Sequence, residues 1–280
     1  MEMTTGKNFR DALRSGKTVY GTLITSGSPK MFDATVTLGL DFVFLCNEHV
    51  FYNPDTLGWM CRAYKSAGVN PVVRILAPDP YLATQALDAG AGAVLVPYVE
   101  NPEDVLNLIG AVKYRPLKGK KLQRILFGEE KPDAELEAYL KKHNQNNTLL
   151  INIESETGLE NLEKFLSIPS LDGPGVDGVV IGPHDLSVSF GMPEKYQSKE
   201  FLDLSCGIIR KARKLGVAAG GHNGSRGSLA LQMEWAKAGA SIILHSADTF
   251  LFADKLHADM NRIREIKGEQ ITTQKSSDAI

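Results

Sequence analysis

The sequence predicts a single (β/α)8 barrel, and three observations carry that expectation. Eight short apolar runs of strand length alternate with helix-compatible segments along the chain. These runs are near-continuously apolar rather than alternating, the pattern of parallel strands buried on both faces. The chain has 280 residues, and one such barrel commonly takes about 250. An open doubly wound sheet is the rival α/β arrangement, but no glycine-rich fingerprint follows an early strand.

In order, the expected strands cover residues 18–25, 41–46, 71–75, 93–97, 148–154, 176–182, 217–222 and 241–246. Helical patterns fall between them, at 28–39, 80–89, 160–166, 199–215 and 228–238. Gly39, Gly90, Gly216 and Gly239 stand where the left-handed residue beyond a helix C-terminus is expected. Trp59 and Trp235 occupy helical positions and are expected to pack against the barrel. The polar stretch 113–147, between the fourth and fifth strands, reads as a solvated insertion. Placed at the C-terminal face of the barrel, it would also be a candidate lid. The whole chain, 1–280, is expected to form one domain with its core at about 18–255. An N-terminal extension, a C-terminal helix and a flexible tail over 268–280 complete it.

Composition narrows the function. A net charge of −2 offers no basic face for nucleic acid or anionic lipid, so neither is an expected partner. No apolar stretch approaches the roughly 18 residues that suggest a bilayer span. The opening Met1-Glu-Met-Thr-Thr-Gly-Lys7 has no apolar signal core, so export is not expected. Cys46, Cys61 and Cys206 are too few and too scattered for a disulfide framework or zinc knuckle, which points to a reducing cytoplasm.

Barrel enzymes place their chemistry at the C-terminal ends of the strands. Here those ends carry Cys46-Asn-Glu-His49, Arg74, Glu154, Asp185, His222 and His245. Arginine and glutamate are costly to bury unless paired or bound to something. Glu154 and Asp185 close neighbouring strands with no cysteine beside them, a hard-oxygen pair suited to Mg²⁺ or Mn²⁺. The competing readings are a carboxylate paired with Arg74 and a helix N-cap at Asp185. His49 suits acid–base work because its ordinary pKa lies near neutrality. Arg74 suits a developing oxyanion or a substrate carboxylate. Gly182 and Pro183 bring the backbone close to the site, so that His184 would touch substrate. His222-Asn-Gly224 is a further candidate for a pocket wall or an anion site, although His222 and His245 read first as structural. Asp88 alone reads as an ordinary helix carboxylate.

Taken together, these fragments resemble the HpcH/HpaI aldolase family, metal-dependent pyruvate aldolases of the phosphoenolpyruvate/pyruvate barrel superfamily. The resemblance runs over about 21–254 and rests on several motifs in order. They are Gly27-Ser-Pro29, Glu48-His49, Pro71-Val-Val-Arg74, Leu87-Asp88-Ala-Gly90, Leu95-Val-Pro97 with Val99-Glu100, Ile153-Glu154 and Val176-Asp-Gly-Val-Val-Ile-Gly-Pro-His-Asp-Leu-Ser187. By position, the resemblance implies Glu154 and Asp185 as metal ligands, His49 as general base and Arg74 as the residue that stabilises the enolate. It implies that Asp88 raises the basicity of His49, and that Asn152 stands where the family reads its substrate with a glutamine. It places His184 where a small residue is usual. Cys46 replaces the aspartate that usually opens Asp-x-Glu-His, and the Arg-Gly segment after the fourth strand is replaced by Lys118-Gly-Lys-Lys-Leu-Gln-Arg124.

The reaction implied is cleavage of a 4-hydroxy-2-oxo acid to pyruvate and an aldehyde through a metal-bound enolate, with Mg²⁺ or Mn²⁺ as the metal and Co²⁺ a further candidate. The expected partners are a small 2-oxo acid and other copies of the chain, as a homo-oligomeric trimer or hexamer whose barrels share helices and complete each other's sites. Two readings stand beside it: a citrate-lyase-like acyl-CoA lyase or hydrolase, and a barrel that binds a small acid without turning it over.

Overall fold

The computed structural model of the chain describes residues 6–223 and 228–272. Eight parallel strands close into a barrel: β1 (Val19–Leu23), β2 (Phe42–Cys46), β3 (Asn70–Arg74), β4 (Ala93–Val96), β5 (Thr148–Ile153), β6 (Gly178–Ile181), β7 (Ala218–Asn223) and β8 (Ile242–Ala247). Each pairs with its neighbour in sequence, and β8 closes on β1. All eight expected strands are therefore present, with ends that differ by one or two residues. Residues β-branched or apolar on both faces explain why: one face fills the barrel and the other lies under the helices.

The helices are α1 (Gly6–Arg14), α2 (Pro29–Thr35), α3 (Pro54–Ser66), α4 (Pro80–Ala89), α5 (Pro102–Lys113), α6 (Gly119–Leu126), α7 (Ala134–Asn144), α8 (Glu156–Glu160), α9 (Leu162–Ser167), α10 (Pro183–Ser189), α11 (Lys199–Lys214), α12 (Ser228–Lys237) and α13 (Asp248–Lys267). Several start at proline behind a side-chain cap, as in α3 (Asn53), α4 (Asp79) and α5 (Asn101). Gly39, Gly90, Gly216 and Gly239 all have positive φ, as their places after helices require. Trp235 is fully buried, its Nε1 donating to Ser205 Oγ at 3.0 Å, and Trp59 packs against the same core.

Inside the barrel lies one apolar cluster, including Phe42, Phe44, Val72, Leu95, Leu150, Val180 and Leu244. Phe9 and Leu13 of α1 belong to it, so the N-terminal extension stoppers the lower end of the barrel. Phe9 meets Phe42 edge-on with centroids 5.6 Å apart, and Gly21 leaves room for the Phe42 ring. The stopper is latched by charge. Arg14 Nε bonds Asp177 Oδ1 at 2.8 Å, and Arg10 Nη1 lies 3.0 Å from Asp172 Oδ2. Lys113, fully buried, pairs with the other oxygen of Asp177, which also accepts the Leu149 N–H at 2.9 Å. Burial pushes the Lys113 ammonium below its ordinary value, and Asp177 opposes that shift.

One expectation needs correction. Residues 113–147 are not a loop but the end of α5 together with α6 and α7, and the stretch begins and ends at the lower end of the barrel. The reason is directional: α5 has already run back from the mouth, so α6 starts at the lower end and α7 leads into the start of β5. The asparagines of this stretch are structural. Asn144 donates to the carbonyls of Arg115 and Leu140, and Asn147 donates to that of Val112. A short hairpin of Pro169–Ser170 with Gly173–Pro174, between α9 and β6, was not expected. Of the expected tail, Gly268 caps α13 in the left-handed region, and Thr272 is bonded to Asn261. Residues 273–280 lie outside the described residues.

Candidate active site

Register brings the upper ring of side chains together. Cys46 and Arg74 end β2 and β3 as paired residues, and Asn152 pairs with Val180 on the next strand. Alternation along a strand turns Arg74, Asn152 and His222 into the barrel with Phe44 beneath them. Arg74 is 4% exposed, and its guanidinium is surrounded. Nε and Nη2 donate to Cys46 Sγ at 3.3 and 3.0 Å, and Nη1 donates to His222 Nε2 at 3.2 Å. Glu48 Oε2 lies 3.0 Å from Nε as an ion-pair contact rather than an aligned hydrogen bond, since the Nε–H is aimed at the sulfur. The Arg74 Cζ also sits 5.6 Å above the centroid of Phe44, on which the His222 ring stacks at 5.8 Å.

Glu154, just past β5, is buried and held by donors. Its Oε2 accepts the Tyr98 N–H at 2.7 Å and its Oε1 accepts Asn152 Nδ2 at 2.6 Å. Tyr98 has φ of 47°, an unusual conformation for a residue with a side chain, and that turn aims its N–H at the carboxylate. Burial alone would push the Glu154 carboxyl up, but the charges and donors around it, Arg74 and the Tyr98 N–H among them, hold it below its ordinary value. Gly182, at the end of β6, leaves the space that the Glu154 side chain fills: a Cβ there would lie 2.6 Å from Glu154 Cγ. Asp185 lies in the first turn of α10, whose N-cap is Gly182, so the alternative N-cap role for Asp185 is not realised.

His49 lies in the turn after β2, its side chain 47% exposed at the rim and its backbone N–H on Cys46 Sγ at 3.3 Å. Burial and then Arg74 lower its pKa below the ordinary 6.5, while Asp185 and Glu154 pull the other way. The Glu48 carboxyl is pushed up by burial and by Glu154 and Asp185, against Arg74. Both carboxylates thus act on the same rim groups.

Most of the residues expected at the site meet there, and the rest separate plainly. Asn152 is fully buried beside Glu154, with its Oδ1 facing no protein donor. Pro183 is buried at the start of α10, and His184 is exposed beside it, with Nδ1 3.2 Å from the Tyr196 hydroxyl. Asp88 departs from expectation: it sits near the end of α4, well exposed, paired with Arg115 and not with His49. His245 points out of the barrel, and burial lowers its pKa. Gly224, the last residue of the expected His222-Asn-Gly anion site, lies outside the described residues. Sequence reading missed Tyr98, which works through its backbone, and Phe44, whose platform is visible only once β2 and β7 face each other.

The donor set decides whether a divalent cation fits. Among the described residues no cluster of three or more His, Cys, Asp or Glu side chains is arranged to hold a metal. Two carboxylates, one of them kept ionised in a buried cradle cleared by a glycine, are what Mg²⁺ or Mn²⁺ needs when water and substrate fill its remaining positions. Glu154 and Asp185 fit that demand.

Comparison with known proteins places the chain in a family. The HpcH/HpaI aldolase/citrate lyase family model matches residues 20–243. A 2-keto-3-deoxy-L-rhamnonate aldolase of Salmonella gallinarum is 28% identical over 269 residues, covering 96% of this chain and 97% of that protein. The fold is shared with an HpcH/HpaI aldolase of Desulfitobacterium hafniense DCB-2, with a TM-score of 0.75, 24% identity, and coverage of 94% and 98% of the two chains. A family protein from Burkholderia cenocepacia J2315 superposes with a TM-score of 0.76 at 24% identity, over 92% of this chain and 99% of that one. Because the family model matches from β1 into β8, the chain belongs to the HpcH/HpaI aldolase/citrate lyase family of carbon–carbon lyases.

Proposed function

We propose that the protein is a divalent-metal-dependent aldolase that cleaves a 4-hydroxy-2-oxo acid to pyruvate and an aldehyde. One observation carries the reading: a buried, ionised Glu154 shares a barrel mouth with the half-buried Asp185 and with a guanidinium that is buried yet faces the lumen. Glu154 and Asp185 would hold Mg²⁺, Mn²⁺ or Co²⁺, which when bound supplies Lewis-acid withdrawal of charge from the 2-oxo acid.

The chain's own groups do the rest. Neutral at pH 7, His49 takes the proton of the 4-hydroxyl. The C3–C4 bond then breaks, the aldehyde leaves, and the electron pair moves to the oxygen on C2, where Arg74 faces the developing negative charge. Protonation of C3 gives the methyl group of pyruvate and returns the proton balance to zero. Gly182, Pro183 and His184 line the entrance to the carboxylate pair, and Asn152 holds Glu154 in line while offering its free carbonyl oxygen to a ligand. The relative's name, a 2-keto-3-deoxy sugar-acid aldolase, makes a hydroxylated aldehyde the first substrate half to try.

Asp88 has no path to His49 within one chain, so its proposed role is at the mouth of a neighbouring barrel. The outward apolar face of α13, with Phe252, Leu256 and Ile263 exposed, supports an assembly of several copies, a trimer or hexamer by the family resemblance. Sedimentation at micromolar concentration checks it. Three free, buried cysteines support a cytoplasmic setting, and no helix among the described residues is long and apolar enough to cross a membrane. The deciding experiment is a panel of 4-hydroxy-2-oxo acids assayed for pyruvate release. Chelator should abolish release and Mg²⁺ or Mn²⁺ should restore it; release indifferent to chelator would remove the metal.

A further inference from the structure

The guanidinium of Arg74 is gripped asymmetrically. On the β2 side it donates twice to one sulfur, Cys46 Sγ at 3.0 and 3.3 Å, and a cysteine sulfur is a weak acceptor. From across the lumen, on β7, it meets His222 Nε2 at 3.2 Å. Arg74 ends β3, and three strands separate β3 from β7 in either direction around the barrel. This bond therefore spans the barrel.

Its polarity is set by chemistry. A guanidinium has five donors and no acceptor, so Nε2 must accept. Asn152 Nδ2, 3.5 Å away, is a second donor aimed at the same nitrogen. Glu154 Oε1 is 3.8 Å away, too far for an aligned hydrogen bond. The imidazole is thus neutral with its proton on Nδ1. Phe44 fixes the plane of both partners by carrying the ring and the guanidinium together.

We propose that His222 is a positioning residue for Arg74, a neutral acceptor that fixes the guanidinium toward the oxyanion without offsetting its charge. Glu48 Oε2 at 3.0 Å and Glu154 Oε1 at 3.8 Å already lie beside the guanidinium, and a third carboxylate in place of His222 would hold Arg74 as firmly but spend more of the positive charge that the transition state needs. This inference rests on the aldolase reading above, and the test separates the two.

The test joins kinetics to a spectroscopic measurement. Imidazole nitrogens of the ¹⁵N-histidine-labelled, metal-free protein should show His222 with Nδ1 protonated and Nε2 bare. A proton on Nε2 would overturn the proposal. In the pyruvate-release assay with Mg²⁺, His222→Leu keeps the packing on Phe44 but loses the acceptor. It should lower kcat and kcat/KM together by about 10- to 100-fold, the scale of one hydrogen bond to a charged group. His222→Gln places an oxygen near the Nε2 position and should recover most of that loss, whereas His222→Asn, which reaches only as far as Nδ1, should not. Equal rates for the Leu and Gln variants, or a Leu variant as fast as wild type, would reduce His222 to packing. If the wild-type protein releases no pyruvate from any acid in the panel, the aldolase reading fails; the tautomer still decides the bond.

Discussion

Adding one methyl group at residue 182 separates the chemistry of Glu154 from the stability of the barrel. The Gly182 backbone, with φ of −93° and ψ of 98°, is open to any residue, so alanine brings no conformational penalty of its own. Its Cβ, however, would lie 2.6 Å from Glu154 Cγ and 2.7 Å from Cδ, and nearer still to Oε1. Carbon atoms rest about 3.5–4.0 Å apart, so the carboxylate must retreat by roughly 1 Å. That retreat pulls it off both the Tyr98 N–H at 2.7 Å and Asn152 Nδ2 at 2.6 Å. A displacement of about 1 Å in a catalytic site costs on the order of 100-fold. Gly182→Ala should therefore lower kcat/KM for pyruvate release by about 100-fold and weaken Mg²⁺ binding by about tenfold or more in calorimetry. Overpacking should cost about 1–3 kcal/mol, a fall in Tm of several degrees with the fold retained. A variant with wild-type rate and metal affinity would refute the placement of Glu154 as a ligand cradled by Gly182.

Three further expectations rest on the same kinds of contact. His49→Ala should lose about 100-fold or more in kcat while binding Mg²⁺ normally. Because burial and Arg74 hold His49 below 6.5, the base is already unprotonated at pH 7. In the Asp88→Asn variant, where no neighbouring carboxylate can raise His49, the rate should therefore stay flat through neutrality and fall only below pH 6.5, and an acid limb centred above that value would contradict the assignment. Lys113→Met should leave Asp177 with one cation fewer in a buried pair and cost about 3 kcal/mol, or roughly 10 °C in Tm by calorimetry, with kcat at 25 °C unchanged. Asp88→Asn should leave Tm nearly unmoved, since an exposed ion pair contributes about 1 kcal/mol at most, yet lower kcat by about tenfold through a neighbouring barrel; an unchanged rate would end that role.

The barrel was legible because parallel strands buried on both faces leave unbroken apolar runs, as in Leu149 to Ile153. Arg74 was legible for a related reason, since a cation inside such a run has to answer to something. Lys113 and Asn144 were not. Polar residues read as solvent-facing, yet these two are buried because Asp177 and distant backbone carbonyls satisfy them. Which end of the barrel the 113–147 stretch occupies depends on the direction of α5, and composition holds no record of that. Tyr98 left no trace because its contribution is an N–H that any residue but proline owns, aimed by a rare φ. His222 was visible as a strand-end histidine, but its partner stands across a closed sheet, and no spacing in the sequence encodes closure. Asp88 shows the limit of carrying a role over by position: the interval from Arg74 is kept, while within this chain the side chain turns to Arg115.

The stopper formed by Phe9 and Leu13 has a kinetic consequence. With the lower end filled and latched by Arg10 and Arg14, substrate and both products share one doorway, the rim that carries His49 and His184. On the proposed placement, a 2-oxo acid seated against Glu154 and Arg74 would lie deepest, with the aldehyde half between it and solvent. Release would then be compulsory in order, aldehyde before pyruvate. In the condensing direction pyruvate would have to enter first, and an excess of aldehyde entering ahead of it would block the passage, which inhibition by excess aldehyde in steady-state kinetics checks.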